Sequence, residues 1–257
     1  MGGCATFREA DREAIRARLL DRARADSRIT GAALTGSAAR DAEDRWSDID
    51  LFFGVAAGHA RDDVLGEWSA FVYQELGALH HFDLHAGRAI YRAFLLPGSL
   101  ELDLAFTPEA EFGATGTSFR AVFGAARTRP ATPDPGRDHL IGLAWHHVLH
   151  ARIGIERGKP WQAEYWISAL RDHTLALACL RLGQVAVHAK GVDALPAAVT
   201  APFAHALVRA LTPPELRRAL GAAAALFLTE LREADAALAR RLEQPLLELA
   251  PSAFEPE

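Results

Sequence analysis

The sequence predicts an α/β unit followed by an all-α one. Three observations point there. Short strand-like segments recur between Ser27 and Phe106, interleaved with helical patterns. A stretch rich in Gly, Thr, Pro and Arg then runs from Thr107 to Pro135. From Arg137 onward the pattern is helical. The expected domains are therefore 1–125 and 136–257, and a chain of 257 residues, half of them apolar, can bury a core in each.

Taken in order, Ile15 and Leu19 lie four apart with Phe7 eight before Ile15, which predicts an amphipathic helix from about Phe7 to Ala25. Ser27 to Thr35 reads as the first strand and delivers Gly36-Ser37 to the sheet edge. Gly36 permits a sharp turn, and Ser37 is expected to cap a short helix reaching about Glu43, whose first N–H groups would face an anion. The chain returns as a strand over Asp48–Phe53. Its period of two puts Asp48 and Asp50 on one face, about 7 Å apart at the backbone, with Ile49 and Leu51 on the other. Two such carboxylates can converge on a hard cation, and Mg²⁺ takes a carboxylate or two plus substrate phosphates.

Gly54 and Gly58 bracket a turn, after which Val64, Leu65, Trp68, Phe71, Val72 and Leu76 fall at helical spacing and would cover one face of the sheet. Three short strands follow, His81–His85, Ala89–Leu96 and Leu100–Phe106, the last two joined by the turn Pro97-Gly98-Ser99. In the third, Leu100, Leu102 and Leu104 alternate with Glu101 and Asp103, so both acids share a face. Thr107–Pro135 reads as a linker or lid with one short helix. Helices are expected over Arg137–Arg157 and Pro160–Leu182, with several more between Pro202 and Leu249. Pro160 suits a first turn, and Gly158 and Gly183 suit the stops.

Gly36-Ser37, Arg40 and Ser47-Asp48-Ile49-Asp50-Leu51 together resemble the signature of the DNA polymerase β-like nucleotidyltransferase superfamily, and within it the chain looks most like the small aminoglycoside and lincosamide antibiotic nucleotidyltransferases. The resemblance implies a nucleotidyltransferase domain, a mixed sheet flanked by helices, followed by a helical-bundle domain. It further implies transfer of a nucleoside monophosphate from an NTP to a hydroxyl of a small antibiotic-like acceptor, with release of pyrophosphate. Asp48, Asp50 and Asp103 would be the catalytic and metal-binding carboxylates, holding two Mg²⁺ ions, with Asp103 or a nearby Glu, Glu101 being the competitor, as base, and Glu101 also a candidate for binding the acceptor. Gly36, Ser37 and Arg40 would bind the nucleotide. One departure is Asp41, where many relatives have Gly. Relatives that build sites across a dimer make a homodimer compatible with this reading. Two alternatives stay open: a nucleotidyltransferase acting on a protein or RNA partner, as in toxin–antitoxin systems, and a non-catalytic nucleotide-binding module.

A net charge of −5 without a run of Lys or Arg argues against a polynucleotide partner and suits a cationic small molecule. No stretch is long and apolar enough to span a membrane. The two cysteines, Cys4 and Cys179, show no metal-ligand spacing, and a cytoplasmic location is expected. In the second half, Lys159 suits a triphosphate, Arg171 a phosphate, and Glu164, with Asp172, a cationic acceptor. Packing of Trp161, Tyr165 and Trp166 explains the same segment equally well. His139, His146 and His150 read as core or interdomain histidines. His81, Asp83 and His85 read as a solvated strand face.

Overall fold

The computed structural model of the chain describes residues 6–116, 118–130 and 135–250. Cys4 lies outside them. The chain divides into two compact units, Met1–Thr132 and Pro133–Glu257.

The first unit runs α1(Glu9–Ala25), β1(Ile29–Thr35), β2(Ile49–Val55), α2(Arg61–Leu76), β3(His80–Ala86), β4(Ala89–Leu96), β5(Leu100–Pro108), β6(Gly113–Ala114), β7(Phe119–Phe123) and β8(Arg127–Thr128). Six strands form a mixed sheet in the order β3-β4-β5-β2-β1-β7, in which β2 and β5 are parallel and the other neighbours antiparallel. Strand alternation sorts the side chains. Ile49, Leu51 and Phe53 of β2 and Leu102, Leu104 and Phe106 of β5 join one core with Leu19 of α1 and Val64, Leu65, Trp68 and Val72 of α2. The Trp68 ring lies 4.9 Å from that of Phe53 and 5.7 Å from that of Phe106. Burial of such a side chain contributes about 2–3 kcal/mol. Its indole N–H donates to Asp26 at 3.0 Å. Arg28 does most to hold that carboxyl down at about pKa 2. The opposite face carries only a small cluster of Ala33, Phe52, Ala89, Ala105 and Phe112.

Two local expectations are corrected. Ser37 does not cap an α-helix: one 3₁₀ turn, Ala38–Arg40, stands there, and the Ser37 side chain makes no capping bond. Asp41 ends the turn in the left-handed region at φ 53°, and the Ala42 N–H closes back on Ser37 O at 3.1 Å. The stretch 107–135 is also not simply a linker or lid, because β7 within it pairs with β1 and extends the main sheet.

The second unit is helical: α3(Arg137–Glu156), α4(Pro160–Arg181), α5(Ala197–Thr200), α6(Pro213–Ala234) and α7(Ala236–Leu249). The starts of α3 and α4 and, within a residue, their ends match the sequence pattern, with Pro160 in the first turn of α4 as expected. Ile141, Ala144, Val148 and Ala151 of α3, Ala163, Ile167 and Leu170 of α4, and Leu216, Leu220, Phe227 and Leu231 of α6 form its core. Asp235 caps α7 by accepting from the N–H groups of Ala237 and Leu238. Cys179 is buried and free. Among the described residues no helix is long and apolar enough to cross a membrane.

Candidate active site

Parallel pairing of β2 with β5 sets Asp50 directly opposite Asp103. Both project from the sheet face that α1 and α2 leave uncovered, since their neighbours in sequence, Ile49, Leu51, Leu102 and Leu104, fill the helix-covered core. Asp48, just before β2, shares their side. One carboxylate oxygen from each of Asp48, Asp50 and Asp103 lies within 4.8 Å of the others, and all three residues are half-buried. Among the described residues this is the only group of three or more His, Cys, Asp or Glu with ligand atoms so close.

Electrostatics give the cluster its chemistry. Burial first, then Glu101 and Asp48, push the Asp103 carboxyl up to about 6. Its Oδ1 is buried with no hydrogen-bond partner. Removing a carboxylate oxygen from water without a partner is unfavourable, and a hard divalent cation would supply both the missing contact and the missing charge. An all-oxygen donor set of three acids therefore fits Mg²⁺.

The Gly36-Ser37 turn sits against this cluster. Gly36 has φ +61°, and a Cβ there would fall 1.9 Å from Asp50 Oδ2, so the turn touches the carboxylate and only glycine leaves room for it. Sequence alone assigns Gly36 to the turn; the approach to Asp50 needs the register of β1 on β2. Ser37 is half-buried at the start of the 3₁₀ turn. Arg40 is exposed and its Nε leans back on Gly36 O at 3.4 Å. Glu101 is exposed on the same side of β5 as Asp103.

The remaining sequence candidates lie on the second unit. Lys159 is exposed at the N-terminal boundary of α4. Glu164 accepts a hydrogen bond from the Ser168 hydroxyl at 2.7 Å, and Arg171 pairs with Asp172 at 2.8 Å. His146 and His150 share a helix face, with ring centroids 4.1 Å apart. The pattern extends further than their spacing suggests: His147 is buried between Trp166, at 4.8 Å, and His173, at 4.9 Å. Burial, with His173, His146 and His150 adding like charge, drives the His147 pKa down to about 4. On β3, Asp83 is paired with Arg92 and His81 with the Tyr73 hydroxyl, so two of the three polar residues on that face have partners.

No family model matches the sequence, and no curated protein matches it. Among solved structures, the chain is similar to an aminoglycoside 6-adenyltransferase from Bacillus subtilis, at 13% identity and a TM-score of 0.41, over 91% of this chain and 96% of that one.

Proposed function

We propose that the first unit is the catalytic part of a Mg²⁺-dependent nucleotidyltransferase that moves a nucleoside monophosphate from an NTP to a hydroxyl of a small, antibiotic-like acceptor. The observation that carries this reading is the meeting of Asp48, Asp50 and Asp103 within 4.8 Å, beside a glycine turn on the open face of the sheet. Mg²⁺ held by these three carboxylates would neutralise triphosphate charge and polarise the α-phosphate.

The chain's own residues do the rest. The Ser37 hydroxyl and the backbone of the Gly36-Ser37 turn hold the outer phosphates, with no helix dipole behind them, and Arg40 lies on the same turn. The acceptor hydroxyl gives its proton to Asp103 or to Glu101, two residues away on the same face of β5. The acceptor oxygen then bonds to the α-phosphorus, the bond from that phosphorus to the leaving oxygen breaks, and pyrophosphate departs. Little covalent chemistry is asked of the protein, so positioning and charge neutralisation carry the rate.

The test incubates the chain with each of the four NTPs, Mg²⁺ and a panel of aminoglycosides and lincosamides, and looks for a mass gain of one nucleoside monophosphate. The gain should require Mg²⁺ and fall by at least about 100-fold in Asp48→Asn, Asp50→Asn and Asp103→Asn, as for loss of a group that stabilises transition-state charge. Unchanged turnover in these variants would overturn the carboxylate assignment.

A further inference from the structure

We propose that the exposed apolar surface of β3 and β4, next to the carboxylates, is the acceptor's binding platform, and that it selects an acceptor with an apolar body that also bears an amine. This rests on the nucleotidyltransferase reading for the reaction but not for the binding. Paired positions on neighbouring strands point to the same side of a sheet. Phe82 pairs with Ala93, and Ala93 with Asp103, which pairs with Asp50. One row beyond, His80 pairs with Leu95 and Leu95 with Glu101. The face that carries the three acids thus continues without a break into Phe82, Leu84 and Leu95, which are 52%, 55% and 46% exposed.

An edge strand left to water is normally blunted by charge or by shortness. Strand β3 has seven residues, and on this face it shows Phe and Leu; its charged residue, Asp83, faces the other way, paired with Arg92. A cavity of about 270 Å³ is lined here by His80, Phe82, Ala93, Leu95, Ser99 and Glu101. Its chemistry is two-sided, an apolar wall from Phe82 and Leu95 and an acid at Glu101. Glu101 lies two residues from Asp103 on the same face of β5, so the acidic end of the cavity borders the reacting carboxylates. Strands lie about 4.8 Å apart, which puts Phe82 about 10 Å from Asp103. That span fits one small molecule with its hydroxyl at Asp103, its amine at Glu101 and its apolar part on Phe82 and Leu95. The small, buried Ala93 lies in the floor beside them.

The experiment uses the full chain and two probes without NTP: lincomycin, which has an amine and an alkyl-substituted ring, and kanamycin, which has several amines and no apolar body. Titration calorimetry should show lincomycin binding more tightly than kanamycin. Phe82→Ser and Leu95→Ser should each weaken lincomycin about tenfold, the size expected for a lost apolar contact in a binding site. Glu101→Gln should weaken both probes. Leu79→Ser, at a still more exposed apolar residue just before β3, is the control and should change neither. No binding of lincomycin, or equal binding by Phe82→Ser and the unmodified chain, overturns the proposal. So does a Phe82→Ser variant that alters the oligomeric state but not lincomycin affinity, since the surface would then be an interface between copies. In a separate arm, the melting temperature with Mg²⁺ and each NTP reports on the carboxylate site. Lincomycin binding with no shift by any NTP would sink the nucleotide reading and leave the platform standing.

Discussion

Gly36 and Asp50 illustrate how one missing methyl group shapes the candidate site. The turn follows β1 directly, and its glycine occupies a backbone conformation that costs an L residue about 1 kcal/mol. The larger effect is local, because the added Cβ would overlap Asp50 Oδ2 and the carboxylate must move by an ångström or more. Misplacement of that size in a positioned group is enough to lose about 100-fold in rate. Gly36→Ala is therefore expected to cut turnover by about 100-fold and raise the Mg²⁺ concentration needed for half-maximal rate, with a melting temperature lowered by only a few degrees. Steady-state kinetics against Mg²⁺ with a thermal melt checks both. A variant with the normal Mg²⁺ requirement would mean that Asp50 is held by something other than the turn.

At the scale of elements, legibility follows range. The alternation in Ser47–Phe53 and in Leu100–Phe106 is local, and it correctly divides Asp50 and Asp103 from Ile49, Leu51, Leu102 and Leu104. Helices α2, α3 and α4 were readable for the same reason, their apolar spacing and Gly or Pro boundaries lying within one window. Strand β7 was hidden because Phe119–Phe123 is a short run whose only reason to be a strand is its pairing with β1, more than eighty residues earlier. The burial of His147 against His173 and Trp166 was hidden likewise, since it depends on α3 meeting α4. The short helix after Ser37 failed differently. Ala38-Ala39-Arg40 favours a helix by propensity, but Asp41 turns left-handed and stops it after one 3₁₀ turn. Asp41 does pair with Arg120, yet its own side chain is largely exposed and that of Arg120 nearly half so, and such a pair contributes little. Asp41→Gly should therefore be neutral to stabilising by about 0.5–1 kcal/mol, as removal of an unfavourable left-handed residue predicts. A urea melt decides it: a loss of more than about 1 kcal/mol would show that the Arg120 pair outweighs the backbone.

For the whole molecule, each unit has its own core and each holds a titrating group, and the two respond to acid with opposite sign. Asp103 is raised from 3.8 to about 6, so the folded first unit binds a proton more tightly than the unfolded chain; its stabilising effect is complete below 3.8 and lost as pH rises through 6. His147 is lowered from 6.5 to about 4, so its contribution to the second unit is present above 6.5 and lost as pH falls toward 4. His173, also lowered, acts in the same direction as His147. Asp26 and Glu215, both held down to about 2, lose their contributions only at lower pH, below about 4. In metal-free buffer, going from pH 7.5 to pH 5 should thus stabilise the first unit by about 1 kcal/mol through Asp103 and destabilise the second by about 2 kcal/mol through His147. Hydrogen-exchange mass spectrometry, with rates corrected for intrinsic pH dependence, reads the two separately in β2 and β5 and in α3 and α4. His81, lowered by burial on β3, opposes Asp103 within the first unit, so the Asp103 contribution is best taken as the difference between the unmodified chain and Asp103→Asn. That variant should lose the acid stabilisation of β2 and β5, keep the acid loss in α3 and α4, and be more stable than the unmodified chain at pH 8, where the buried charge is gone. An identical pH response in both proteins would mean that Asp103 is not the group that titrates.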